Sequence, residues 1–511
     1  MGYAVVLTAR PLVALAACVA AFAAAPGAIG DELVRVRVEG GWIAAPADGS
    51  VARFVGVPYA RPPVGPLRWR PPQPPPAWSG VRDASAFGPS CMQPSPPHEV
   101  LPSSPAATLS ENCLTLNVWA PIGARSAPVM VWLHGGGNVT GTGADRYADG
   151  SAFARDGIVL VTLNYRLGVF GFFAHPALIR EAAGAEHVAN YGLMDQLAAL
   201  RWVARNISAF GGDPSNVTVF GESAGGEDIV ALLGAPSARG TFGKAIVESA
   251  GFWDDLPSLD VAKQRSSALS TLLGLPGAAA TAAQLRAVSA DALQSIDREA
   301  PPGPFLDGRL LERSPIAAFA AGGSLDVPIV IGTNGNESSL LGDVPPPAGD
   351  IATDVSAAER SAFRDSRELF TDRYFAAPAR WLAAHRASRS PVYLYRFAYV
   401  ADYFRGRRAG ADHGSEIPFV FGTFPDAIAI ETDRDVVATV HGCWVAFAKT
   451  GVPACPHTAP WPPYTANDDQ LMLFGERPAV VTTPDRHELD VIARGTLDRE
   501  ASAPVGGRRL R

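Results

Sequence analysis

Residues 129–133 read VMVWL and residues 157–165 read GIVLVTLNY. An extended chain points successive side chains to opposite faces, so such a run has no face fit for water. It must be covered on both sides, which a parallel sheet carrying helices on both faces achieves. NVTVF (216–220), AIVES (245–249), PIVIG (328–332) and PVYLYRFAY (391–399) repeat the demand. Between them LMDQLAALRWVARNISAF (193–210) places Leu193, Leu197, Leu200 and Val203 at helical spacing and stops at Gly211-Gly212. Strand and helix alternate from about residue 114. The expectation is an α/β fold with a large, mostly parallel central sheet and helices on both faces.

The chain has 511 residues, 47% hydrophobic and 18% charged, enough for a large core. Its 43 basic and 50 acidic residues are spread without long blocks of one sign, so no nucleic-acid partner is expected. RPPVGPLRWRPPQPPPAW (61–78) carries too many prolines for a helix or central strand and is read as extended surface wrapping. QPSPPHEVLPSSP (93–105) is read as an exposed loop. Residues 1–30 hold Arg10 and then an Ala-rich apolar run closed by small residues, the pattern of an export signal cleaved near Gly30–Asp31. That leaves 31–511 as a single domain, exported to a bacterial periplasm or the extracellular space, with no membrane span. LAAC (15–18) resembles a lipoprotein box, so a lipid anchor at Cys18 is the second reading of this segment. The remaining cysteines, Cys91, Cys113, Cys443 and Cys455, allow three pairings. Proximity favours Cys91–Cys113 and Cys443–Cys455 in an exported chain, and four free thiols are the alternative.

FGESAGGEDI (220–229) sets Ser223 between Gly221 and Gly225, where an apolar strand meets a helix. A Gly-rich turn is the ordinary explanation of such a pattern; a nucleophile elbow is the chemical one. A serine hydroxyl needs a base to take its proton and donors to hold the oxyanion. VWLHGGGN (131–138) runs a strand into three glycines whose N–H groups can face a ligand unhindered. Ala224, at the helix start, adds another N–H where the dipole favours negative charge. Of nine histidines, His413 in GADHGSEIPFVFG stands beside a glycine turn late in the chain, where this fold keeps its base. Glu337, a few residues past the strand PIVIG, is the acid that would orient it.

These residues match a known pattern. The sequence resembles the type-B carboxylesterase/cholinesterase family of α/β hydrolases over nearly all of the mature chain. FVGVPYARPPVGPLRWRPP (54–72), SENCLTLNVWAP (110–121), NYRLGVFGF (164–172), NYGLMDQLAALRWVARNISAFGGDPSNVTVFGESAGG (190–226), GTNGNES (332–338) and HGSEIPFVFG (413–422) carry it in order. The resemblance implies a triad of Ser223, Glu337 and His413 and oxyanion donors at Gly136, Gly137 and Ala224. It further implies a Cys91–Cys113 disulfide, an Arg68–Glu111 ion pair, and a structural rather than chemical role for Asp195. Glu222 and Ser249 would lie close to the triad. The implied function is hydrolysis of small carboxylic esters through an acyl-serine, with no metal and no organic cofactor. Lipase and amide-cleaving activities are the neighbouring readings, and adhesion modules lacking the serine are the non-enzymatic one. The sequence departs from the family in two places. Asn138 follows the glycines where an aromatic is usual, and Glu227-Asp228 follow the elbow where small or apolar residues are usual. Both departures are expected to bear on the substrate pocket. No tryptophan lies between Cys91 and Cys113, so acetylcholine is not the expected substrate.

Overall fold

A computed structural model describes residues 33–95, 105–182, 184, 189–251, 256–297, 302–342, 366–386 and 389–502. The segment read as an export signal, with Cys18, and most of the loop read at 93–105 lie outside them. An 11-stranded sheet organises the described residues. In spatial order its strands are Ala479–Thr482, Gln470–Phe474, Val392–Phe397, Ile329–Asn334, Lys244–Glu248, Gly212–Glu222, Ala127–Leu133, Val159–Leu163, Thr115–Pro121, Val51–Pro58 and Ala47–Asp48. From Gln470–Phe474 across to Val159–Leu163 every pairing is parallel. The margins are antiparallel, which the apolar runs alone did not reveal.

The demand for cover on both faces is met residue by residue. Val129, Val131 and Leu133 join one core with Val159, Val161, Val217, Val219, Ala245, Val247, Ile329 and Ile331. Their alternates Met130, Trp132, Leu160, Phe220, Ile246 and Val330 join a second core on the opposite face. Period two thus sorts each strand between the two cores. The helix expected at 193–210 runs from Tyr191 to Asn206 and tightens to a 3-10 turn over Ile207–Phe210. It ends at Gly211, whose left-handed φ of 82° serves as the cap.

The proline-rich wrap is largely exposed, but two side chains pin it. Trp69 donates from Nε1 to Val169 O at 2.8 Å, and Arg68 grips Glu111 in a fork with both bonds 2.6 Å. The exposed-loop reading of 93–105 needs correcting at its first residue. Gln93 is fully buried, donating to Cys91 O and Gly141 O and accepting from Gly141 N–H. A backbone stretch beside the glycine loop needs those polar partners, and Gln93 supplies them. Cys91–Cys113 and Cys443–Cys455 are both disulfide-bonded.

Asp195 lies wholly inside. Its carboxylate receives Arg166 Nε and Nη2, both at 2.7 Å, and the Arg166 N–H at 3.1 Å. Asp195→Asn leaves a buried guanidinium without its counter-charge. The expected loss is about 3–5 kcal/mol of folding stability, read as a lower urea midpoint; an unchanged midpoint would refute this account of the pair.

Candidate active site

The elbow, the glycine loop, Glu337 and His413 all follow the C-terminal ends of parallel strands, so chain direction alone brings them to one edge of the sheet. Ser223 ends the strand Gly212–Glu222 and caps the helix Ala224–Leu233 with φ 55° and ψ −127°. A residue bearing a β-carbon is held there at a cost of roughly 1–3 kcal/mol. Two backbone bonds of 2.9 Å hold it, Ser223 N–H to Glu248 O and Glu227 N–H to Ser223 O. A β-carbon at Gly225 would stand far inside contact distance of Leu133 O, which is why glycine follows the elbow.

The glycine loop leaves Leu133, whose strand partner is Gly221. At Gly135 a β-carbon would meet Glu222 Oε2 at 2.5 Å and the Ser223 β-carbon at 3.0 Å, so the loop lies directly on the elbow. Gly136 and Gly137 are exposed, and among the described residues their N–H groups donate to no protein acceptor. Ala224, first residue of its helix, has no intrahelical acceptor for its N–H. His134 turns away into the interior, stacked on Tyr165 at 4.4 Å. Burial lowers its imidazole to about 4, against a hydrogen bond to Gly135 O that acts in the opposite direction.

Glu337 is fully buried just past the strand Ile329–Asn334. Its Oε1 accepts from Asn334 N–H at 2.6 Å and its Oε2 lies 2.5 Å from His413 Nδ1. His413 donates its own backbone N–H to Ser339 Oγ at 2.9 Å. On the far side of the ring, Nε2 lies 3.0 Å from Glu222 Oε1, close but not aligned for a hydrogen bond. Ser223 Oγ makes no hydrogen bond among the described residues. The structure therefore joins Glu337 to His413 and sets the imidazole against the residue immediately before Ser223. Burial alone would lower the imidazole; Glu222 and Glu337 outweigh it and hold it well above its ordinary value.

Two further carboxyls went unnoticed in the sequence. Glu248 accepts from Trp444 Nε1 at 2.8 Å, and Glu416 accepts from Asn334 Nδ2. Burial, with Glu222 and Glu337 nearby, raises Glu416 to about 8; burial and then Glu416 push Glu248 well upward. Glu416 closes the HGSE stretch that begins at His413, though no role was read for it there, and Glu248 stands just before Ser249 with no local pattern to mark it. Ser249 is buried with φ 49°, its N–H bonded to Gly332 O and its hydroxyl without a partner among the described residues.

The departures also find their places. Glu227 accepts from Gly251 N–H at 3.2 Å. Asp228 does not face a pocket: it is buried, receiving Asn138 Nδ2 at 3.1 Å and Gln196 Nε2 at 2.5 Å. Burial raises its carboxyl to about 7 against those two bonds. The expected influence of Asp228 on the pocket wall is thus replaced by a contact between the two departures. A cavity of about 550 Å³ has His413 in its wall, with Tyr147, Tyr399, Phe404, Phe419 and Phe424. Among the described residues no cluster of His, Cys, Asp and Glu has the form of a metal site, and no helix is long and apolar enough to cross a membrane.

The model of the carboxylesterase family matches residues 34–366 and 351–492. The chain is 37% identical over 479 residues to the fumonisin B1 esterase of Sphingopyxis macrogoltabida, covering 84% of each chain. It is 36% identical over 491 residues to the para-nitrobenzyl esterase of Bacillus subtilis (strain 168), covering 88% of this chain and 96% of that one. A solved PNB esterase superposes with a TM-score of 0.79 at 33% identity, over 90% of this chain and 99% of the other.

The charge around His413 sets a measurable expectation. Its folded pKa lies above the unfolded value of about 6.5, so the ring's contacts add stability below that pH and lose it as pH rises through the folded value. Glu222→Gln removes one counter-charge, and the His413 titration followed by NMR should move to lower pH. An unmoved midpoint would contradict the assignment of Glu222 as its partner.

Proposed function

This chain belongs to the carboxylesterase family and is an ester hydrolase, and we propose that it works through an acyl-enzyme on Ser223. In this reading His413 Nε2 turns from Glu222 to the adjoining Ser223 hydroxyl and, in the neutral form of the ring, takes its proton as Oγ attacks the ester carbonyl. Glu337 keeps the ring oriented through Nδ1. The new oxyanion sits among the N–H groups of Gly136, Gly137 and Ala224, the donors left without protein acceptors. Collapse expels the alcohol with the proton from His413. Water then attacks the acyl group as His413 takes its proton, and His413 returns that proton to Ser223 Oγ as the bond to the acid breaks.

The observation that carries this reading is the strained Ser223 at the strand-to-helix junction, one residue from the carboxylate against which the Glu337-held imidazole rests. Because His413 returns its proton to the leaving oxygen, the alcohol lies on the imidazole side. The aromatic cavity of about 550 Å³, which has His413 but not Ser223 in its wall, is the space we assign to that alcohol, and it favours bulky or aromatic ones. We further propose that the chain is exported and processed near Gly30–Asp31, which accords with its two disulfides.

Ser223→Ala should lower kcat on 4-nitrophenyl esters by about 10³-fold or more and abolish fluorophosphonate labelling, with the circular dichroism spectrum retained. Undiminished turnover would overturn the assignment and leave a binding module or another nucleophile. Across an ester panel kcat/KM should rise from methyl to benzyl alcohols; a flat series would remove the cavity from the account. N-terminal sequencing of secreted protein should begin near Asp31, and an intact Met1 would refute export by cleavage.

A further inference from the structure

We propose that Asp228 is a positioning residue that fastens the exit of the glycine loop to the nucleophile helix and so sets the spacing of the oxyanion donors. The inference rests on the reading of Gly136, Gly137 and Ala224 as those donors. Its observations are separate from that reading. The loop's entrance is fixed by two contacts: Leu133 O lies against the Gly225 backbone, and His134 O accepts from the Tyr165 hydroxyl at 2.7 Å. At its exit Gly136 O accepts from Val139 N–H and Thr140 N–H, both at 3.0 Å, which closes the loop on itself without tying it to the nucleophile helix. Beyond Gly137 the chain reaches Asn138, which is 2% exposed and has φ 59°. Two bonds hold it there, Gly168 N–H to Asn138 O at 2.8 Å and Asn138 Nδ2 to Asp228 Oδ1 at 3.1 Å.

Asp228 lies four residues after Ala224 in the helix, so its carboxylate projects from the face that carries Ala224, one turn further on. A link from Asn138 to Asp228 therefore couples the loop donors to the helix donor through a single rigid turn. Gln196, on the helix Tyr191–Asn206, holds the other carboxylate oxygen at 2.5 Å. Asn138 Oδ1 and Gln196 Oε1 have no hydrogen-bond partner among the described residues, so the Asp228 carboxylate alone orients both amides. The two sequence departures from the family are thus the two ends of one contact, ninety positions apart. A buried carboxylate costs stability unless its partners are in place, so its contribution is directional.

The test uses Asn138→Gly, Asp228→Asn and the double variant, with kcat, KM and affinity for a trifluoromethyl ketone that forms a hemiketal on serine. Glycine accepts φ 59° without strain, so N138G removes the side chain's hold without forcing the backbone, at the cost of a freer chain at that position. In D228N one of the two carboxylate acceptors becomes a donor. Each single variant should lower kcat about 10-fold or more with KM within about twofold, and weaken the ketone in parallel. The double variant should lose no more than the worse single one, because both remove the same link. Wild-type kcat in folded N138G, or losses that multiply in the double variant, would overturn the proposal. A lower melting temperature with kcat retained would mark Asp228 as structural only. If D228N does not fold, N138G decides alone through kcat and ketone affinity. Ser223→Ala separates the layers: if it is inactive while these variants keep their rate, only the tether fails, and if it is active the underlying reading fails too.

Discussion

The site depends on a contact that has no room for a β-carbon. Leu133 O presses on Gly225, and Gly135 lies over Glu222 and the Ser223 β-carbon. Two neighbouring parallel strands, paired as Gly221 with Leu133, end together, and the turns that leave them pack backbone to backbone. That packing holds Ser223 at φ 55°, where an isolated turn would relax. It also brings the start of the helix Ala224–Leu233 to the glycine loop, so unpaired N–H groups from two elements come to one place. Strain at the serine and proximity of the donors thus have one cause.

Electrostatics form a second layer around the same point. Glu222, Glu248, Glu337 and Glu416 are buried close together behind one imidazole. Like charges in a dry interior cannot all ionise, so Glu416 and Glu248 are driven toward their protonated forms while His413 is driven toward its charged form. Burial also pushes Tyr395 well upward, reinforced by the same four carboxyls. The titrations of Glu248 and Glu416 are thus linked to each other rather than independent.

Much of the arrangement was legible because strand, elbow and loop are local events. FGESAGG announces a turn with small residues on both sides of a hydroxyl, and the apolar run before it announces a strand end. Both hold in the structure within a residue or two. GTNGNES likewise puts Glu337 directly beyond a strand. The antiparallel margins escaped notice because Val51–Pro58 and Thr115–Pro121 carry no run longer or more apolar than many loops contain. Gln93 escaped because a glutamine in a proline-rich stretch has no local sign of burial. Glu248 and Glu416 were passed over because a lone glutamate beside a strand or a turn is most often solvated.

What the residues determined by themselves was order and type: which segments need cover on both faces, where glycine permits a tight turn, and which functional groups stand beside those turns. Those properties follow from period, backbone freedom and functional group, all of which act over a few neighbouring positions. Convergence was left to the tertiary structure. Only the folded sheet decided that the ring of residue 413 rests on Glu222, that four carboxyls share one interior, and that Asn138 meets Asp228. Each depends on separations set by strand pairing across the whole chain, and hydrogen bonds and charges act only once those distances close to a few ångströms.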